Sequence, residues 1–588
     1  MERNANLINK KIHQYILPGV LMTVAMQLGN VVDGMIVGNL LGSSAMAAIE
    51  ISMPVLLFLQ IPAMMLALGG AAEAAVLLGK RQMEKANGVF TAAFVTGLAL
   101  SLLFAIFTPF LPGVLSMALA GNAELASLAE PYIRVNFGGI PILTVAIIFC
   151  YFMNADNHPQ LGSALFIVAN VVNLVLDVVF LKVFHLGMAG SALSTIIGYL
   201  VGMVTVVFYF CSKHRMLHFR KPGQNVLQNT FAAAKAGIPS AAFILMSALK
   251  SIIINSVVVR VLGNDSMAVY SVCANAVLIA ELCVGGVISL IQNIAGILYG
   301  ERDYFGIRML CKRVLIYSYA AIAALLLIFL VSPQFIAGLF GIREGEMAEL
   351  SKIALRIFAC SFPFYVYNKF LMAYYQTILQ AGLSTVITVL QGFVAIVPLT
   401  LVGMSFWGLP GVCIAAVVSE AVTIFLGICY RKWGQYTKKF TGQDLYMLPE
   451  IIEETYLDFS IENNIEDVVS LSEQIIQFCK KNNIVERDAK ILGLALEEIA
   501  ANIVKYGYRS DRKNYIDISF TIQDGKYILR IRDDGIPFNP LAKELPEGTH
   551  FIGGIGLVRK MVSDFQYMRV LNMNNTVIEL KMGERSRG

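Results

Sequence analysis

The chain has 588 residues, 57% of them hydrophobic and 14% charged, with a formal net charge of +5. Charge is unevenly spread: from residue 440 onward it sums to about −5, which leaves about +10 on the apolar part before it. That basic excess lies in the loops between apolar runs, as the positive-inside rule requires, so it excludes a nucleic-acid partner as its explanation.

Before residue 440, apolar runs of about 20 or more residues recur, each long enough to cross a bilayer core of ~30 Å. Twelve spans are expected, near 14–41, 50–79, 89–112, 132–154, 160–183 and 188–211, then near 232–262, 268–299, 311–332, 353–378, 382–404 and 408–430. The charged N-terminus MERNANLINKKIHQ leads into a run too long for a signal-peptide core, so it reads as a retained first span. Roughly 19 Lys and Arg fall on one set of loop sides and about three on the other, which predicts that both termini face the cytoplasm. The nine cysteines are scattered, and no CxxC or His/Cys metal spacing occurs.

The two sets of six spans are related by an ungapped shift of 221 residues (239 − 18). It aligns Pro18 with Pro239, Gly42 with Gly263, Gly79 with Gly300, Gly187 with Gly408 and Gly190 with Gly411. Six is even, so both repeats start on one side of the membrane and are expected to be parallel.

Polar residues inside such runs are costly. An ionised Asp at mid-helix costs roughly 2.5–3.5 kcal/mol on insertion scales. Asp33 lies in the first span, close after Asn30. In the fifth, FIVANVVNLVLDVVFL, the polar residues are Asn170, Asn173 and Asp177, whose i, i+3, i+7 spacing puts them on one face. Thr195 follows in the sixth span. Asp177 and Thr195 are each about nine residues from the turn between their helices, hence about 13 Å deep. Carboxylate, amide and hydroxyl oxygens at one depth suit a proton or a hard cation such as Na⁺, or else a structural helix–helix contact. The second repeat has Val394 and Pro398 where the first has Asn173 and Asp177. Its ionisable residues are Lys250, Glu281, Lys369 and Glu420. Lys250 and Glu281, with Asn30 and Asn170, are candidates for a central cavity, although the two charges could equally pair with each other or snorkel outward.

The segments QLGNVVDGMIVGNLLG, DNHPQLGSALFIVANVVNLVLDVVFL and GMAGSALSTIIGY resemble the multidrug and toxic compound extrusion (MATE) family, over about residues 10–435. The resemblance implies a twelve-helix antiporter with an N-lobe near 10–215 and a C-lobe near 230–435. It implies export of amphipathic, often cationic small molecules against H⁺ or Na⁺ across a bacterial cytoplasmic membrane. Asp33, Asn173, Asp177 and Thr195 match that family's cation or proton site. Lys250 departs from members with an acid in the seventh helix, which argues against a purely cationic substrate.

Residues 436–454 have the composition of a linker. Residues 455–588 then alternate between helix-periodic and strand-periodic runs, an α+β domain. In LALEEIAANIVKYGY, Glu498 and Asn502 are four apart on one helix face, a candidate base and a candidate Mg²⁺ ligand. In LRIRDDGIPFNP, Asp533 ends a strand and Gly535 opens a turn. In HFIGGIGLVRKMV, Gly553, Gly554 and Gly556 are expected to precede a helix whose N-terminus can face phosphates. Each signal alone is weak. Their order resembles the GHKL ATPase superfamily, most closely the anti-sigma-factor serine kinases, with Asn539 where that pattern usually has Asp. The resemblance implies ATP and Mg²⁺, with Glu498 as catalytic base, Asn502 on Mg²⁺, Asp533 on adenine and the glycines around the nucleotide. It also implies a STAS-type or sigma-factor-like protein partner. No His occurs between 219 and 549, so a phosphoacceptor helix is not expected. Three functions fit: an antiporter whose ATP-binding tail regulates transport or phosphorylates a partner on Ser/Thr, a membrane-tethered anti-sigma-type kinase that uses the transporter half as sensor, or an exporter of a lipid-linked or peptide substrate.

Overall fold

The computed structural model describes the chain except residues 1–2, 121–122, 222–224, 340–344, 439–443, 450–455, 509–512, 524, 542–551 and 583–588. The chain divides into two units, residues 14–440 and residues 1–13 with 441–588. The first thirteen residues thus fall with the C-terminal unit.

The first repeat comprises α1 (Asn6–Leu41), α2 (Ser43–Gly79), α3 (Met83–Ile106), the short α4 (Leu111–Ala120), α5 (Ala123–Ala155), α6 (Pro159–Val178), α7 (Gly187–Gly202) and α8 (Val204–Cys211). The second comprises α9 (Val226–Leu290), α10 (Gly296–Gly300), α11 (Tyr304–Val331), α12 (Pro333–Leu339), α13 (Glu346–Ala359), α14 (Phe362–Thr377), α15 (Ala381–Val389) and α16 (Ile396–Tyr436). Single π turns lie at Val179–Val183, Ile291–Ala295 and Leu390–Val394. All twelve expected runs fall on helix. Helix α9 holds two of them, separated at Gly263, and α16 is interrupted likewise at Gly408. The expected 353–378 span is broken in two, because Phe362 and Pro363 start a new helix after Cys360–Ser361.

The repeat is visible in the backbone. Gly42 and Gly263 share nearly the same conformation (φ 90, ψ 177 and φ 83, ψ 177), and Gly187 and Gly408 both have positive φ (57 and 60). An L side chain is strained there, so glycine at these matched corners is a conformational requirement. Arg81 and Arg302, again 221 apart, are both left-handed (φ 62 and 59).

The repeats meet along α2 and the second half of α9 with α10. A Cβ on Gly79 would lie 2.1 Å from the Ile297 carbonyl oxygen, and a Cβ on Gly300 would lie 2.2 Å from that of Val76. The shift of 221 carries Val76 to Ile297 and Gly79 to Gly300, so the contact is reciprocal, as across a two-fold axis. Backbones this close make the van der Waals contact that holds helices together where water gives no drive.

The other unit is a five-stranded antiparallel sheet, β1 (Tyr456–Glu462), β2 (Tyr515–Gln523), β3 (Lys526–Asp533), β4 (Asp564–Val570) and β5 (Met573–Lys581), in the order β1-β2-β3-β5-β4. Strand alternation gives one apolar face, Phe459, Ile461, Ile516, Ile518, Phe520, Leu529 and Ile531. Two amphipathic helices bury it, α17 (Ile465–Lys481) through Val468, Leu471 and Ile475, and α18 (Glu486–Tyr506) through Leu492, Leu496 and Ile499. Asn464 caps α17, its Oδ1 accepting from Glu466 N at 3.2 Å. A further helix, α19 (Ile552–Met561), joins the same core through Ile555 and Val558.

Replacing Gly79 or Gly300 by leucine forces α2 and α10 apart. Each substitution is expected to cost about 1–3 kcal/mol, read as a lower thermal unfolding midpoint of the detergent-solubilised protein, with similar losses for the two sites.

Candidate functional site

In the N-lobe, the sequence folds polar residues onto facing stripes of α6 and α7 because small residues let these helices touch. A Cβ on Gly198 would lie 2.4 Å from the Ala169 carbonyl oxygen, and one on Gly202 2.6 Å from that of Leu165. At this contact Asn173 Nδ2 donates to Ser194 Oγ (3.1 Å) and Thr195 Oγ1 (3.0 Å). Ser194 Oγ lies against Asp177 Oδ1 and is 2.6 Å from the Ser191 carbonyl. Asn173, Asp177, Ser191 and Ser194 are all buried. The expected trio Asn173, Asp177 and Thr195 is therefore brought together. Ser194 is the connecting residue the sequence reading missed, and its place beside Thr195 in SALSTIIG was the available signal.

This geometry handles either charge state of Asp177. A protonated carboxyl donates to Ser194 Oγ, whose own hydrogen goes to the Ser191 carbonyl. An ionised carboxylate takes the Ser194 hydrogen instead. Asn170 packs elsewhere, its Nδ2 donating to the Phe166 carbonyl (2.8 Å) and its Oδ1 occupying the place a side chain on Gly29 of α1 would need. Asn30 and Asp33 lie in α1, and their side chains are outside the described residues.

A second polar region lies between the lobes. A cavity of about 320 Å³ is walled by Met22, Gln27, Tyr151, Phe243, Glu281, Lys369 and Gln376, among others. Glu281 is on this wall as expected, but its partners are Tyr365, whose hydroxyl donates to Oε2, and Lys369 at 3.4 Å. The Lys369 ammonium also sits 4.4 Å from the Phe243 ring centre. Lys369, not Lys250, is thus the lysine of the cavity wall, because α14 carries it towards Glu281 of α9. Neither Asn170 nor Lys250 lines this cavity. Glu420 is bound by Asn368 Nδ2 (2.6 Å) and by Gln391 Nε2 (3.0 and 2.9 Å).

The C-terminal unit carries a cavity of about 240 Å³ lined by Ile499, Asn502, Ile503, Asp533, Ile536, Phe538, Ile555 and Asn574. At one end Asn502 Nδ2 donates to Glu498 Oε1 (3.1 Å). That bond commits the amide nitrogen and leaves the amide oxygen for a cation. At the other end Asp533 Oδ1 accepts from Gly535 N (2.8 Å) and Asn574 Nδ2 (2.9 Å). Both bonds fall on Oδ1, which leaves Oδ2 for a donor in the cavity. Burial pushes the Asp533 carboxyl up to about 6 despite these two bonds. Asn574, missed from sequence, is brought to Asp533 by β3–β5 pairing.

The three glycines are not ahead of the helix as expected. Helix α19 starts at Ile552, so Gly553, Gly554 and Gly556 lie in its first turns. Gly554 leaves room there for the Glu498 carboxylate: a Cβ would fall about 2 Å from it and push it aside. Asn539 Oδ1 accepts from Leu541 N (2.9 Å), a local turn contact.

A helical, two-repeat polytopic membrane unit, with nine helices among the described residues long and apolar enough to cross a bilayer, followed by an α+β domain, is the class of protein the fold defines. The family model described as MatE matches residues 18–179 and 239–402, and that described as Histidine kinase-like ATPase domain matches residues 461–582. The chain belongs to the MATE family and carries a histidine kinase-like ATPase domain at its C-terminal end. It is 24% identical over 432 residues to the multidrug export protein MepA of Staphylococcus haemolyticus, covering 72% of this chain and 92% of that one. To the probable multidrug resistance protein YpnP of Bacillus subtilis it is 28% identical over 233 residues, 38% of this chain and 51% of that one. Among solved structures, an outward-facing multidrug resistance MATE transporter of the MOP superfamily superposes with TM-score 0.67 at 21% identity, covering 74% of this chain and 97% of that one. A MOP superfamily transporter from Pyrococcus furiosus, described as having a binding pocket of reversed polarity, gives 0.66 at 20%, covering 73% and 96%. These two likenesses show the fold.

Gly554→Ala is expected to displace the Glu498 carboxylate and destabilise the ATPase domain by about 1–3 kcal/mol. Gly556→Ala, whose Cβ meets open space, is expected to be neutral or to stabilise α19 by up to about 1 kcal/mol. Differential scanning calorimetry of the full chain separates the two.

Proposed function

We propose that the protein is a secondary multidrug exporter, coupled to H⁺ or Na⁺, whose ATP-binding domain regulates transport. One observation carries the transport reading: Asn173, Asp177 and Ser194, all buried, and half-buried Thr195 form one connected polar cluster across two membrane helices. Such a cluster is expensive in a bilayer and, inside a bundle, marks an ion or proton path. Asp33 completes this site in our reading. Proton or cation binding there neutralises Asp177, and the Ser194 hydroxyl turns between the Asp177 carboxyl and the Ser191 carbonyl.

The cargo occupies the cavity between the lobes. Its wall carries aromatic and methionine side chains, suited to amphipathic compounds, and both signs of charge in Glu281 and Lys369. A cationic or zwitterionic molecule can replace one partner of that ion pair by its own charge. The names of MepA and YpnP, a multidrug export protein and a probable multidrug resistance protein, agree with this reading.

In the ATPase domain, Asp533 Oδ2 accepts the adenine amino group, Asn502 offers its oxygen to Mg²⁺, and Glu498 is the base. Mg²⁺, if held by Asn502, would supply positive charge to offset that of the phosphates. The N-terminus of α19 provides backbone N–H groups to the phosphates.

Reconstituted in proteoliposomes, the protein is expected to move a fluorescent amphipathic cation under ΔpH or a Na⁺ gradient. Asp33→Asn and Asp177→Asn should each reduce gradient-driven flux by at least about tenfold while nucleotide binding persists. Full flux in both variants overturns the site assignment.

Adenine recognition needs ionised Asp533. Above pH 6 the carboxylate is ionised and affinity for ATP should be flat. Below it, protonation removes the acceptor, and affinity should fall by about tenfold per pH unit. Asp533→Asn is expected to bind weakly with no such slope, measured by titration calorimetry.

A further inference from the structure

The face of the ATPase sheet opposite its helices is polar yet covered. One row across four strands runs Ser460, Asp517, Arg532, Asn575, paired in that order. All four are less than 9% exposed. A two-layer sheet with helices on one side usually leaves its polar face to water. Here the first residues of the chain lie over it. The Arg3 guanidinium bridges Asp458 (2.8 Å) and Asp517 (3.2 Å), and Asn4 N donates to Ser460 Oγ (3.2 Å). The Ser460 hydroxyl donates onward to Asp517 Oδ1 (2.6 Å). Arg3 is itself buried, 4% exposed in its side chain.

The contact continues into the first turns of α1. Lys10 Nζ is 2.5 Å from Asp534 Oδ2, and Lys11 Nζ donates to the Asn572 carbonyl (3.2 Å) in the β4–β5 turn. Asp534 follows Asp533, which lines the nucleotide cavity. Arg569 ties the same loop down, donating to the Gly535 carbonyl (3.3 Å) and to Asn574 Oδ1 (2.8 Å). Asn574 in turn holds Asp533. The ammonium of Lys10 is therefore one residue from the floor of the cavity, and Lys10 lies in the first turns of α1.

We propose that this polar sheet face is the binding surface for the chain's own N-terminus, and that residues 3–11 report nucleotide occupancy to α1. A ligand donor on Asp533 Oδ2 fixes the Asp533–Ile536 loop. That fixes Asp534, and through the Lys10 ion pair it tightens the first turns of α1. Without a ligand on Asp533 the loop that carries Asp534 is held less firmly, and the Lys10 ion pair fixes the same turns less well. The face occupied by the N-terminus is then closed to a protein partner, which must dock elsewhere on the domain. This inference rests on the nucleotide reading of the cavity.

Hydrogen exchange on the full chain in detergent, with and without Mg²⁺ and a non-hydrolysable ATP analogue, tests it. The analogue is expected to slow exchange in α18 and α19 and, in the same sample, by about threefold or more in residues 7–13. Lys10→Ala, a change at an exposed side chain, should abolish the second response and keep the first. Arg3→Ala should speed exchange in β1 and β2 without nucleotide by about tenfold, with Arg3→Lys recovering part of the loss. Protection of α18 and α19 with residues 7–13 unchanged overturns this inference and leaves the nucleotide reading standing. Protection at neither place overturns both.

Discussion

The reciprocal contact of Gly79 with the Ile297 carbonyl and of Gly300 with the Val76 carbonyl is the constraint on which the membrane unit depends. Two helix backbones can approach so closely only where neither has a side chain, and each glycine meets the residue three before the other. The contact is self-complementary, so a repeat of 221 residues generates both halves of it from one local sequence. Gly69 and Gly237 make a similar approach between α2 and the first half of α9: a Cβ on Gly237 would lie 1.9 Å from the Met65 carbonyl, and one on Gly69 2.3 Å from Gly237 N. Small-residue packing of this kind replaces the hydrophobic drive that a lipid environment withholds. It also leaves the remaining helices of each lobe free to take on different chemistry.

They do so. The α6–α7 contact of the first repeat encloses an amide, a carboxyl and two hydroxyls. The equivalent positions of the second repeat carry Val394 and Pro398, and polarity there moves to Glu281, Tyr365 and Lys369 at the cavity, with Glu420 held by Asn368 and Gln391. Each carboxylate is met by donors from a neighbouring helix, as buried charge requires. One scaffold copied twice thus holds a hydrogen-bonded polar cluster in its first half and a mixed-charge cavity wall in its second. The Glu281–Lys369 pair keeps the wall close to neutral when the cavity is empty, so neither charge is left alone in a medium of low dielectric.

Much of this was legible in the sequence because the signals are periodic. Apolar runs set the spans, matched glycines set the repeat, and the i, i+3, i+7 spacing of Asn170, Asn173 and Asp177 set the polar face. The strand alternation of the tail set its sheet. What the sequence did not disclose depends on which helices become neighbours. Asn170 has the same spacing as its companions but meets Gly29, and Glu281 chose Lys369 over Lys250, since only three-dimensional packing ranks lysines that are far apart in the chain. The start of α19 at Ile552 was missed because glycines argue against a helix by propensity, while burial of Ile555 and Val558 overrides that preference. Arg3 could not be foreseen at all: an arginine near a chain terminus normally belongs to solvent.

Arg3 and its carboxylates are separated by 455 and 514 residues in the chain. At a synthesis rate of about 5–20 residues per second, the arginine waits roughly 25–90 s for Asp458 to leave the ribosome. Every membrane helix has been made by then. The α+β domain consequently gains the Arg3 contact on its polar face only after Asp458 and Asp517 have been made. A product cut short before Asp458 offers Arg3 neither carboxylate, so the earliest-made partner of this contact is set by the latest-made strands.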